Sequence, residues 1–138
     1  MPFKNPAAAD AKEVVRSFTV SYLLSGTAPA TAARYERIWI APAKCVVDSV
    51  EATWSAASSS GTLNIEKVPS GTAQDSGTDL LSATISTAGS ADTTTAGTLS
   101  TTQATVELAA GDSLALVNSG TLTSLTDLCV TVGLHWIP

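Results

Sequence analysis

The chain contains few charged and few aromatic residues. Of its 138 residues, 14% are charged and 5% are aromatic, whereas charged residues make up about 25% of a typical soluble domain. Alanine, threonine, serine and glycine take their place. Because 44% of the residues are hydrophobic, the composition argues against intrinsic disorder and favours an all-β protein with small side chains on its surface. A surface with so little charge also suits a protein that is covered by a partner.

The chain also has no long apolar segment. No stretch approaches the ~20 apolar residues that a transmembrane helix needs. No apolar region follows the N-terminus, as one does in a signal peptide. We therefore expect no membrane partner, and we expect synthesis in a reducing cytoplasm.

Residues that carry out catalysis or bind metals are scarce. The only histidine, His135, has no nucleophile or carboxylate beside it in the sequence, so we expect a structural or surface role. Cys45 and Cys129 lack the spacing of a zinc site. We expect buried free thiols, with a disulfide across the fold as the alternative. The sequence also contains no phosphate-binding loop, GxGxxG or GxSxG motif. It therefore predicts a protein that is not an enzyme and has no cofactor and no metal site.

Two features indicate binding, and each has a simpler interpretation. Residues 74–79 (QDSGTD) resemble part of a calcium loop but lack its run of carboxylates and its closing glutamate, which favours a solvated turn. The tryptophans Trp39, Trp54 and Trp136 have the chemistry of a sugar-binding platform. In a chain so poor in aromatic residues, however, they more often fill the core.

The net charge of −5 is unevenly distributed. Six basic and three acidic residues precede position 45, whereas one basic and nine acidic residues follow it. The acidic majority argues against nucleic acid as a partner. The asymmetry is either accidental or an adaptation to head-to-tail packing or to docking on a charged protein surface.

Alternating polar and apolar residues predict β-strands along most of the chain. The longest strict alternation covers residues 128–137. The other predicted strands are residues 14–24, 34–40, 44–55, 62–68, 105–108 and 113–117, and residues 80–86 form either a strand or a short helix. Residues 69–79 and 87–98 are expected to be loops. Roughly seven or eight short strands with turns between them are typical of a β-sandwich or jelly roll.

The alternation also predicts which side chains share a face. In the second predicted strand, Ile38 and Ile40 are expected on the face opposite Trp39. In the third, Val46 and Val47 are expected on opposite faces, with Val46 on the apolar face.

The first residues are expected to form an arm outside the folded domain. Pro2 and Pro6 disfavour helix and fix extended backbone. We therefore divide the chain into an extended N-terminal arm, residues 1–12, and a single domain, residues 13–138. The arm is either a frayed end or a tether across a neighbouring subunit, and Phe3 favours the tether because an aromatic side chain needs a surface to pack against.

Six short motifs follow one another along residues 38–134: residues 38–43 (IWIAPA), 45–50 (CVVDSV), 61–67 (GTLNIEK), 68–73 (VPSGTA), 80–81 (LL) and 108–116 (LAAGDSLAL). In their composition and their order along the chain, these motifs resemble the jelly-roll capsid decoration, or cement, proteins of tailed bacteriophages. The resemblance lies in motif order and not in any catalytic signature.

This resemblance implies a virion protein on the capsid exterior, made in the host cytoplasm, with the major capsid protein as its partner. It also implies a homodimer or homotrimer, of which we favour the trimer, that bridges neighbouring capsid subunits against the pressure of packed DNA. The basic N-terminal third then predicts capsid contacts through Phe3, Lys4, Lys12 and Arg16. The alternatives are a tail or baseplate structural subunit and a glycan-binding virion module.

Overall fold

The computed structural model describes residues 16–30 and 34–138. The predicted arm, with Phe3, Lys4 and Lys12, lies outside the described residues. The strands are β1 (Ser17–Thr27), β2 (Arg34–Ile40), β3 (Cys45–Thr53), β4 (Thr62–Val68), β5 (Thr78–Asp79), β6 (Ile85–Ser86), β7 (Thr95–Ala96), β8 (Glu107–Leu108), β9 (Ser113–Ser119) and β10 (Thr126–Trp136). One four-residue helix, α1 (Gln103–Val106), precedes β8.

The strands form two antiparallel sheets. The first sheet has the order β1-β10-β3-β7, with β8 also paired to β3, and the second has the order β2-β9-β4-β5, with β6 also paired to β4. The first four strands in the chain alternate between the sheets, and β9 and β10 again belong to different sheets. This is the strand order of a jelly roll, and the prediction of an all-β sandwich is confirmed.

The hydrophobic core lies between the sheets. Along β1, half-buried residues that include Phe18 and Val20 alternate with exposed ones, as the sequence pattern predicted. The side chains that are almost completely buried are Trp54, Leu63, Ile65, Leu80, Leu108, Leu114, Leu116, Leu122, Leu125, Leu128, Leu134 and Val47. Complete burial of one such aliphatic side chain stabilises a fold by about 1.5–3 kcal/mol.

A β-bulge in β3 reverses the predicted alternation of that strand. Ser49 pairs with Gly133, but the next pair is Val47 with Leu134, so Asp48 is the additional residue. A bulge shifts all following side chains to the opposite face. Val47 therefore faces the core, and Val46 pairs with His135 on the outer face. The prediction that Val46 lies on the apolar face of this strand was wrong, although its side chain is buried and belongs to the hydrophobic cluster.

A second irregularity changes β2 in the same way. Arg37 pairs with Ala115 and Trp39 pairs with Leu114, which leaves Ile38 as the additional residue. Trp39 consequently shares the inner face with Leu114, while Ile40 points outward and is 62% exposed. The predicted placement of Ile40 on the face opposite Trp39 is confirmed, whereas the irregularity removes Ile38 from the regular alternation.

Two smaller predictions also differ from the structure. The strand predicted for residues 105–108 is a helical turn followed by the two-residue strand β8. In residues 80–86, only β6 is a strand. Over the described part of the chain, helices are too short to cross a membrane.

Candidate interaction surface

The titratable side chains of the described residues do not converge on a metal-binding arrangement. No group of three or more histidine, cysteine, aspartate or glutamate residues among them is able to hold an ion. The bulge in β3 does bring Asp48 beside His135, with 2.8 Å between Nδ1 and Oδ2. Both side chains lie on the outer surface of the first sheet, so His135 has the surface location that was predicted. The two residues are 87 positions apart, and sequence spacing gave no sign of the pair.

The two cysteines are free thiols. Cys45 pairs with Trp136 at one end of β3, and Cys129 pairs with Thr53 at the other end, so a disulfide between them is excluded. Cys45 is fully buried, as predicted, whereas Cys129 is half-buried on the outer face. Burial, assisted by the negative charge of Asp112, raises the pKa of Cys45 to about 11. This thiol is therefore unreactive at neutral pH.

The loop between β4 and β5 is held against the outer face of the second sheet. The buried carboxylate of Glu66 accepts hydrogen bonds from the backbone N–H groups of Asp75 at 2.8 Å and Gly77 at 3.2 Å. Arg37 Nη2 donates to the carbonyl of Thr72 at 2.7 Å. These hydrogen bonds tie the loop to the sheet, so this part of it is a structured turn.

Three aromatic rings from both sheets meet near the start of β1. Phe18 stacks on Trp136 with 4.2 Å between ring centroids, and Trp39 lies 5.6 Å from Phe18 and 6.3 Å from Trp136. All three side chains are half-buried and pack against the core. We call these three residues the aromatic cluster. The predicted core role thus holds completely for Trp54, which is buried, whereas Trp39 and Trp136 line the surface at this end.

Basic side chains lie at the same end of the sandwich. Arg16 is half-buried directly before β1, and it is the one predicted contact residue that the structure describes. Lys44 forms an ion pair with Glu107, with 2.7 Å between Nζ and Oε1, and Lys67 donates to the backbone carbonyl of Glu107 at 3.0 Å. The hydrogen bond from Lys44, followed by one from Gln103, lowers the pKa of Glu107. We call Arg16, Lys44 and Lys67 the basic end.

The unequal charge of the two parts of the sequence does not become two charged halves of the molecule. β1 and β10 are neighbours, and so are β3 and β8, so residues distant in sequence share one sheet. The Lys44–Glu107 pair is an example. At the basic end, Lys44 and Lys67 both contact Glu107, beside the aromatic cluster.

The sequence comparisons with known proteins gave no match. No protein family matches the chain, and no curated protein does. The fold is similar to that of a chain in the solved capsid asymmetric unit of cyanophage Pam1, with a TM-score of 0.51 and 13% sequence identity. The similarity covers 88% of this chain and 84% of that chain, so the two are comparable in length. At this level of identity the similarity shows a shared fold.

Proposed function

We propose that the protein is a structural, non-enzymatic component of a phage virion. In this proposal it binds the outer surface of the head and bridges neighbouring major capsid subunits. The observation that carries the proposal is the similarity to a chain of a phage capsid over most of the length of both chains. A single jelly roll of this size therefore has a counterpart in a phage capsid.

The basic end and the aromatic cluster support a contact with the capsid protein at this end of the sandwich. Arg16 precedes Phe18 by two positions, and the predicted arm, residues 1–12, precedes both in the sequence. Phe3, Lys4 and Lys12 have the same basic and aromatic character. We propose that these residues and Arg16 bind the capsid protein.

The stabilising effect would come from many small contacts. Burial of apolar surface contributes about 25 cal/mol per Å², and a typical specific interface buries about 800 Å² on each partner. Part of this energy offsets the loss of rotational and translational freedom. Repetition over a whole capsid then converts moderate single affinities into a strong total effect.

Electron cryomicroscopy of mixtures of the purified protein and undecorated phage heads tests this function. We expect regular additional density on the outside of the head, between capsid subunits, that is absent from heads alone. The matched control is the protein without residues 2–12, which should leave the heads bare. Bare heads with the full chain would contradict the proposal, and density on tails would favour a tail or baseplate subunit.

The aromatic cluster gives a second candidate function, a glycan-binding virion module. Half-buried tryptophan rings at a surface are able to stack on sugars. Titration with host polysaccharide should then change tryptophan fluorescence, and Trp136→Leu should abolish that change. An unchanged spectrum would exclude this candidate.

A further inference from the structure

Among the described strands, β1 has the longest edge without a strand partner. β1 has 11 residues, and among the described residues its only strand partner is β10. The register between the two strands is continuous from Ser17 to Leu24. The backbone N–H and C=O groups along the other side of such a strand are a template for pairing with another strand.

The other sheet edges carry features that prevent such pairing. The opposite edges of both sheets consist of the two-residue strands β5, β6, β7 and β8. β2 contains Arg34, Glu36 and Arg37 and has an irregularity at Ile38. Short strands, charged side chains and bulges are the usual means by which proteins protect an edge.

β1 has none of these features. Its sequence, SFTVSYLLSGT, contains no charged residue and no proline, and the first irregularity in its register follows Leu24. Leu23 is 64% exposed on the outer face, where it pairs with Cys129 and follows Ser21. A long, uncharged strand edge of this kind is normally covered by a partner.

We propose that two copies of the chain pair through β1, in antiparallel orientation, across a two-fold axis. A strand that pairs with its own copy in this way satisfies two-fold symmetry. Because β1 is uncharged, the pairing places no like charges opposite each other. The other edges in the described part of the chain are too short or too highly charged to receive β1, which disfavours head-to-tail assembly. The two first sheets would then form one continuous sheet.

This inference concerns the edge of β1, which begins beside the proposed capsid contact, but it does not rest on the proposed function. It also favours a dimer over the trimer that the resemblance suggested. Around a three-fold axis, one strand is unable to pair with its own copy, because each contact there joins two different surfaces.

Two measurements on the full chain test the pairing. Sedimentation equilibrium between about 1 and 100 µM, a range that covers moderate affinities, should show a monomer–dimer equilibrium. Hydrogen exchange should slow along β1 as the concentration rises. β2 serves as the internal control, since it is also a terminal strand, and its exchange should not change with concentration.

Lysine substitutions distinguish dimerisation through the edge of β1 from dimerisation through the outer face of the sheet. The variant Thr19→Lys/Ser21→Lys places like charges along β1, and the dimer should dissociate at least about tenfold more readily. The matched control is Thr131→Lys, because Thr131 pairs with Ser21 on the neighbouring strand. It should fold and dimerise normally.

Three results would overturn the proposal. These are a monomer at every concentration, a trimer, and a dimer in which the β1 variant and the control behave alike. The circular dichroism spectrum and melting temperature of each variant would show whether it is folded. If the double variant fails to fold, the unaltered chain still tests the pairing: hydrogen exchange along β1 that does not slow with rising concentration would overturn it.

Discussion

Replacing Asn118 with leucine is expected to stabilise the protein. Asn118 is completely buried in β9, and neither its Nδ2 nor its Oδ1 atom has a hydrogen-bond partner. A buried polar group without a partner costs about 1–3 kcal/mol. Leucine has the same branching and the same number of side-chain heavy atoms. After a small cost for its larger volume, we expect a gain of about 1–2 kcal/mol in the free energy of unfolding, or roughly 3–8 °C in Tm.

Asn64 provides a matched control on the adjacent strand β4. It is buried like Asn118, but its Oδ1 accepts from the N–H groups of Ile65 at 2.8 Å and Leu81 at 3.2 Å. Its Nδ2 donates to the carbonyl of Leu81 at 3.4 Å. Asn64→Leu would leave these buried backbone groups without their partner and should cost about 2–4 kcal/mol.

Thermal and urea denaturation, followed by circular dichroism, measure both variants. The reasoning requires opposite signs, with Asn118→Leu more stable and Asn64→Leu less stable than the unaltered chain. Equal losses of stability in the two variants would refute it. Such a result would mean that the amide of Asn118 makes a favourable interaction of the same kind as Asn64.

Three further predictions follow from the structure. Deletion of residues 2–12 should abolish capsid binding and leave Tm nearly unchanged; unaltered occupancy on imaged particles would contradict the role of the arm. Because the pKa of Cys45 is raised from 9.0 to about 11, stability should fall as pH rises from 9 towards 11, where only the unfolded chain loses the thiol proton. Cys45→Ala should flatten this part of a stability-versus-pH curve, and an unchanged curve would contradict this origin of the pH dependence. Gly77→Ala should destabilise the protein by about 1–3 kcal/mol, because the added Cβ would lie 2.5 Å from the Lys67 carbonyl oxygen. Urea denaturation measures this loss. An unchanged free energy of unfolding would show that the turn adjusts freely.

The sequence predicted the strands better than it predicted their faces. The bounds of β2 and β4 match the prediction, because turn residues mark both ends of each strand and apolar residues alternate between them. The bulges at Ile38 and Asp48 were missed. A bulge is a property of two paired strands, and β3 and β10 are far apart in the sequence.

The candidate interaction surface was predicted only in part. Charge counting proposed Arg16 from the local sequence alone, and its role as a contact residue stays a prediction. The aromatic cluster joins Phe18, Trp39 and Trp136 from three strands and both sheets, so periodicity within one strand could not reveal it. The contacts of Glu66 with the following loop were missed for a related reason, since a carboxylate in a strand gives no sign that it will accept backbone N–H groups.

The position of β10 in the first sheet has a consequence for synthesis on the ribosome. β10 lies between β1 and β3, so neither of these earlier strands has its central partner until residues 126–136 have been made. At translation rates of about 5–20 residues per second, β1 waits roughly 5–20 s, with both of its edges unpaired. During that interval its uncharged sequence is open to pairing with other nascent chains. The first sheet is therefore expected to form only once residues 126–136 have been made, and the yield of folded protein should depend on how crowded the neighbouring ribosomes are.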